Sequence, residues 1–339
     1  MFSLLHLLLR MSYCIVTVSS LVVDLKENDL SDSIEKLLIH SNHLYVGTVN
    51  ALHRLSQSDL NRTLEPFKLG PSLDNPSCRQ LNQCSDLTET NYHWKILLAV
   101  NNQSLLVCGT LFQGLCQLID ENFRVISNSS LPIVANDPVN STVGLVVPET
   151  NLIYFGVTYT NEGVHRWQIP NIAGRSLNAT HFMKVFSVDN DDESISRDDL
   201  SVRFMPRQQT TFIVQYIHAF TSRHYIYFLT NQPNDSDQKM IITKVVRFCR
   251  ENSHSILRSY TEIPLICVNT EWTLKTAQTM LDNENQLMLI GHFTRKDGTG
   301  GTNLCSWNVR HEIDRALEDN YRTCYAMGIG QREIGRAHV

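Results

Sequence analysis

Apolar residues in this chain come in short runs, about four to eight long, separated by polar clusters of Asn, Asp, Gly, Ser and Pro. That pattern predicts many brief strands with turns between them. Five stretches share one plan. "HSNHLYVGTVNALHRL" begins with a polar turn and an apolar run, then passes Gly47-Thr48 into a second strand. "NNQSLLVCGTLFQGLCQL" puts Gly109-Thr110 in the same place, and "ETNLIYFGVTYTNEGVHRWQI" puts Gly156 there. "TSRHYIYFLTNQPNDSDQKMIITKVVRFC" has Thr230 and a longer hairpin, and "ENQLMLIGHFTRKDGTGGTNLCSWNV" has Gly291. The centres, near Tyr45, Leu106, Tyr154, Ile226 and Met288, fall about 50–70 residues apart, the period of a propeller blade with long insertions. A β-sandwich gives alternating strands, but not five similar hairpins at this spacing. The expected class is therefore an all-β propeller, with the glycine of each inner strand at a crowded position near the axis. Helical periodicity is scarce. It favours a helix over 311–324, with Ile313, Ala316, Leu317 and Tyr321 on one face, and a shorter one over "TLKTAQTML", 273–281.

Composition narrows the partners. The 339 residues allow a large core, 19% are charged, and the net charge is −5. No long basic block occurs, so neither nucleic acid nor an anionic membrane surface is expected as a partner. The apolar N-terminus "MFSLLHLLLRMSYCIVTVSSLVVD" reads as a secretory signal over residues 1–20, cleaved near Val18-Ser19-Ser20; Arg10 interrupts any membrane-spanning run. Setting aside Cys14, eight of the nine cysteines remain, with no C-x-x-C and no His pair at zinc spacing. Cys78/Cys84 and Cys108/Cys116 are separated by short loops, as local disulfides are. N-x-S/T sequons open at Asn61, Asn102, Asn128, Asn140, Asn178 and Asn234, which makes them glycosylation candidates. Together these features predict export and oxidised cysteines.

Chemical motifs add little. "GTGG", 298–301, has no Lys-Ser/Thr after it and reads as a flexible hairpin tip; "GIGQREIG" fails the phosphate-loop pattern as well. "DNDDESISRDD", 189–199, lacks the glycine and closing Glu of an EF-hand loop and reads as a solvated acidic loop. The thirteen histidines are dispersed, and His218 alternates with apolar neighbours as a packed strand residue does. Sialidase-type propellers use clustered arginines, and residues as far apart as Arg166 and Arg203 do not supply them. No catalytic group, metal or cofactor is expected, and a propeller hydrolase is the least favoured reading.

"LYVGTVNALHRL", "GPSLDNPSC", "NYHWKILLAVNNQSLLVCGTLFQGLCQL", "VANDPVNSTVGLVV", "IYFGVTYT", "YIYFLTNQ", "KVVRFCRENSHSILRSYTEIPLIC" and "NLCSWNV" together resemble the Sema domain of plexins, the cell-surface receptors for semaphorins. The resemblance runs from about Leu44 to Gly330. The VCGTLFQGLCQ hairpin and the RFC…SY.E.PL.C stretch are its specific parts; the LYVG-type strands are shared with semaphorins and Met-like receptors. It implies a seven-bladed Sema-type propeller, here truncated to about five blades over 21–333, with 334–339 a non-native tail. It also implies the pairs Cys78–Cys84, Cys108–Cys116 and Cys267–Cys305, and leaves Cys249 and Cys324 without partners through truncation.

The function so implied is an extracellular, semaphorin-binding module of a guidance receptor at the plasma membrane. Receptor self-association follows from a dimeric ligand, and the membrane span lies outside this sequence. The alternative is a semaphorin, the ligand itself. The acidic insertion at 186–204, with Asp198, Asp199 and Arg203, is the expected partner contact, because scaffolds carry recognition on surface insertions.

Overall fold

The structure is a computed structural model that describes residues 33–78, 84–163, 169–178, 182–183, 200–204, 206–234, 240–250 and 256–327. The signal-like N-terminus, the acidic run with Asp198 and Asp199, and the tail at 334–339 lie outside the described residues.

Five antiparallel sheets follow one another along the chain. Blade 1 holds β1 (Ile34–His40), β2 (His43–Thr48), β3 (Ala51–Ser56) and β4 (Phe67–Lys68). A two-stranded ribbon, β5 (Ser72–Asp74) and β6 (Thr88–Thr90), precedes blade 2, which comprises β7 (Trp94–Asn101), β8 (Ser104–Gly109), β9 (Cys116–Asp120) and β10 (Val125–Asn128). Blade 3 has β11 (Thr142–Val147), β12 (Leu152–Val157), β13 (Ile172–Ser176) and β14 (Ser201–Val202). Blade 4 has β15 (Gln215–Ser222), β16 (Tyr225–Pro233), β17 (Ile241–Cys249) and β18 (Thr261–Pro264). Blade 5 has β19 (Trp272–Leu281), β20 (Leu287–Arg295) and β21 (Thr302–Asn308). Each sheet is a meander, so every strand pairs with its neighbour in sequence. The first strands β1, β7, β11, β15 and β19 run beside one another, which puts them at the axis and the last strands at the rim.

The apolar runs are continuous because the middle strands are buried on both faces. Along β8, Leu105 and Val107 enter the core shared with blade 1, while Leu106 and Cys108 enter the core shared with blade 3. Tyr154 and Phe155 divide in the same way between the cores on either side of blade 3, as do Tyr227 and Phe228 about blade 4.

The repeated glycines are crowded, but they sit on the second strand of the blade and not on the innermost one. A Cβ on Gly47 would lie 2.8 Å from the Trp94 indole, and one on Gly156 would lie 2.3 Å from the Tyr216 ring, in each case a side chain of the next blade. Trp94 is pinned further: its Nε1 donates to Thr48 O at 2.7 Å, and its backbone N–H donates to Glu35 Oε2 at 2.7 Å. Where blade 4 has Thr230 instead of glycine, the link to blade 5 is polar. Asn231 Nδ2 donates to Leu274 O at 2.8 Å, and Leu274 N–H donates to Thr243 Oγ1 at 3.1 Å.

The helix expected at 311–324 is present as a wider turn over Val309–Asp314 leading into α1 (Arg315–Met327). Asn308 accepts from His311 N–H while its own N–H donates to Glu312 Oε2, a reciprocal cap. The second expected helix, 273–281, is a correction: these residues are the inner strand β19, paired with β20 throughout. Its threonines at 273, 276 and 279 suit a strand, and a register shift between Leu274 and Thr276 gives spacing that imitates a helix. The Gly298 and Gly300 tip stands in open space with φ of +72° and +76°, as a hairpin turn requires.

Replacing Gly156 with Ala should force Tyr216 from its seat. Unfolding free energy should fall by about 1–3 kcal/mol, the usual range for overpacking, as read by denaturant titration. Gly300→Ala, where nothing lies within 4 Å, should be limited to the smaller cost of its positive φ.

Candidate recognition surface

The turns fall on two sides of the disc. One side carries the β1–β2 and β3–β4 turns and their counterparts. The other carries the β2–β3 type of turn and the connections between blades, and on it blade 2 carries a tightly braced turn.

There the chain from Gly109 to Cys116 must reverse within a short loop. It does so with Phe112 (φ 54°, ψ 41°) and Gln113 (φ 68°, ψ 22°) both left-handed. For residues other than glycine that conformation costs about 1–2 kcal/mol each. The Sγ atoms of Cys108 and Cys116 are at bonding distance and close the base, with Cα atoms 4.2 Å apart. Asp74, buried on the ribbon, accepts the Phe112 N–H through Oδ2 at 2.7 Å. The buried Gln113 amide donates to Asn75 O and Pro76 O, each at 2.9 Å, and accepts from Asn136 Nδ2 at 3.1 Å. Thr160 Oγ1 donates to Asn136 Oδ1 at 2.7 Å, which extends the network into blade 3. What this bracing presents is the Phe112 side chain, 46% exposed.

Beside the turn lies a cleft of about 300 Å³, lined by Pro76, Glu89, Thr90, Asn91, His93, Thr110, Asn136 and Pro138. His93 Nδ1 is 2.7 Å from Glu35 Oε1, so a blade 1 carboxylate holds the ring beside the cleft. Lys95, on β7 just below, is buried with its Nζ donating to Asn140 O at 2.6 Å. Burial pushes its pKa down to about 8, against a smaller upward pull from Asp137.

The other residues singled out in the sequence are dispersed. The Cys78/Cys84 and Cys267/Cys305 sulfur pairs are also at bonding distance, on the ribbon and at blade 5. Cys249, at the end of β17, has a free thiol and is half-buried; the Cys324 side chain lies outside the described residues. Of the sequon asparagines, Asn61, Asn102 and Asn128 are exposed, whereas Asn140 is half-buried with Nδ2 on Asp137 Oδ2 at 2.6 Å. Asn178 and Asn234 are half-buried also. Arg203 is exposed just after β14, on the same side of the disc as the cleft. His218 is a β15 strand residue stacked near Phe220, its pKa lowered by burial. Among the described residues no group of three His, Cys, Asp or Glu is placed to hold a metal. Sequence reasoning missed Asp74, Gln113, Asn136 and Thr160. Gln113, lone and polar in an apolar hairpin, was the available sign.

No protein-family model matches the chain. Solved structures do. The plexin A4 extracellular region superposes with a TM-score of 0.70 at 22% identity, covering 86% of this chain and 36% of its own length. The chain has the Sema fold. Semaphorin 1a from Drosophila matches at TM-score 0.55 and 16% identity, over 84% of this chain and 55% of that one. Semaphorin 2a from Drosophila gives 0.56 and 15%, over 85% and 49%. This Sema-fold chain thus spans about a third of the plexin A4 region it matches.

Lys95 predicts a pH signature. Its folded pKa, about 8, lies below the ordinary 10.5, so the folded state binds fewer protons between those values and gains stability as pH rises through them. Relative to Lys95→Met, the wild-type chain should gain about 2 kcal/mol of unfolding free energy between pH 7 and pH 10. Parallel denaturant titrations at the two pH values measure it; no relative gain would mean that Lys95 is solvated.

Proposed function

We propose that this chain is the extracellular recognition domain of a plexin-like receptor and binds a semaphorin. The fold supports it: the plexin A4 superposition has the higher TM-score, 0.70 against 0.55 and 0.56 for the two Drosophila semaphorins. The motifs that resemble plexins, the VCGTLFQGLCQ hairpin above all, form the braced turn and its disulfide. The chemistry is binding and not turnover. A rigid disc offers loops and blade edges to a protein partner, and a dimeric ligand would bring two receptors together. Export, glycosylation at the exposed Asn61, Asn102 and Asn128, and attachment to the plasma membrane through a segment beyond this sequence belong to the same proposal, as does an ancillary contact through Asp198, Asp199 and Arg203.

The test is surface binding of the oxidised, secreted protein to immobilised semaphorin ectodomains and, separately, to plexin ectodomains. Saturable binding to a semaphorin is expected. Binding to plexin ectodomains alone would overturn the receptor reading in favour of the ligand, which the semaphorin matches also support.

A further inference from the structure

We propose that the braced turn and cleft of blade 2 are a docking surface for a basic protein segment carrying an apolar anchor, with Phe112 at its centre. The inference rests on the recognition role proposed above and names the surface and the partner chemistry.

Three observations converge. First, the turn is built at a cost. Two successive left-handed residues, held by a disulfide, a buried carboxylate and a buried amide, present an aromatic ring that contributes little to the core. Strain maintained by its surroundings concentrates at functional positions. A rigid, exposed aromatic loses little entropy when it becomes an interface anchor.

Second, the apolar surface continues beyond Phe112. Leu73 precedes Asp74, the residue bonded to the Phe112 N–H, and is exposed. Leu131 lies in the connection whose Ile133 and Val134 N–H groups donate to Gly114 O, and Val139, 84% exposed, follows Asn136 and Pro138 in that connection. These exposed apolar residues lie in the chain segments that supply Pro76, Thr110, Asn136 and Pro138 to the polar-walled cleft, so apolar surface and a polar cleft occur side by side.

Third, the charge selects the partner. Around the turn and cleft the described carboxylates are Glu35, Asp74, Asp86, Glu89, Asp137 and Glu162, with Asp86, Glu89 and Glu162 exposed. Against them stand Lys36 beside Glu35 on β1, Lys68 on the rim strand of blade 1 and Arg203 beyond that of blade 3, while the Lys95 ammonium is buried on a carbonyl, so carboxylates still outnumber cations. A second copy of this chain, with net charge −5, is a poor match for such a surface. A segment rich in Lys and Arg complements it and would be steered towards it.

The experiment uses the oxidised protein against a panel of semaphorin ectodomains on a sensor surface. The variants are Phe112→Asp, Glu89→Lys and, as a control on the opposite side of the disc, Glu284→Lys in the β19–β20 turn. Phe112→Asp should weaken binding at least tenfold with an unchanged thermal melt, because the side chain is exposed. Glu89→Lys should slow association severalfold at low salt, with the difference shrinking as salt rises. Glu284→Lys should change neither. If the wild-type protein binds a semaphorin and both Phe112→Asp and Glu89→Lys bind equally well, the surface assignment fails while the receptor reading stands. If the wild-type protein binds no semaphorin, the receptor reading fails and takes the named partner with it. Should Phe112→Asp not fold, Glu89→Lys alone decides: an unchanged association rate at low salt overturns the proposal.

Discussion

A ring seated on a glycine joins one blade to the next, and the disc depends on that contact. Trp94 covers Gly47, and Tyr216 covers Gly156, each from the first strand of the following blade. The absence of a Cβ lets each ring lie directly on the neighbouring strand's backbone at that point. A buried ring of that size adds more apolar area than any other single side chain could there. Polar ties fix the angle. The Trp94 indole N–H donates to Thr48 O, and the Tyr216 backbone N–H donates to Thr158 Oγ1 at 3.4 Å. A blade without its neighbour would expose one whole face of its middle strands, so these contacts convert marginal sheets into one body.

The braced turn of blade 2 uses that stiffness. Its left-handed residues persist because the groups around them leave no alternative. The disulfide sets the span, Asp74 takes the Phe112 N–H, and Gln113 is bonded to three partners. Gly163, from blade 3, is required here as well: a Cβ would lie 1.9 Å from Gln113 Oε1. The bracing thus draws on the ribbon, on blade 2 and on blade 3, and the turn holds one shape only while these three keep their places.

The fold was legible in the sequence because its signals are local. Second strands buried on both faces read as "LYVG", "LLVCG" and "IYFG", each ending on a glycine with no room for a Cβ. The helical stretch from Val309 to Met327 was legible for the same reason, since Ile313 and Leu317, four residues apart, both enter the core shared by blades 4 and 5. Strand β19 was misread because one face is largely exposed and a shifted register breaks its two-residue alternation. The site was less legible. Gln113 and Cys108 lie in the repeat, but Asp74 and Asn136 lie in connections between blades, and no local period relates residues so far apart in sequence. Buried polar networks of that kind are set by tertiary geometry.

The meander has a consequence for how the chain comes to be folded. Every strand hydrogen-bonds to the strand before or after it, so contacts within a blade are of low contact order and carry little loop-closure entropy. Each of the three closed sulfur pairs also lies within one blade or the connection next to it, the widest spanning 38 residues. A ribosome delivering this chain from its N-terminus releases one locally paired, still marginal sheet at a time. Each new sheet meets a finished face on which to lay its first aromatic ring, and its thiols meet their partners before distant competitors have been synthesised.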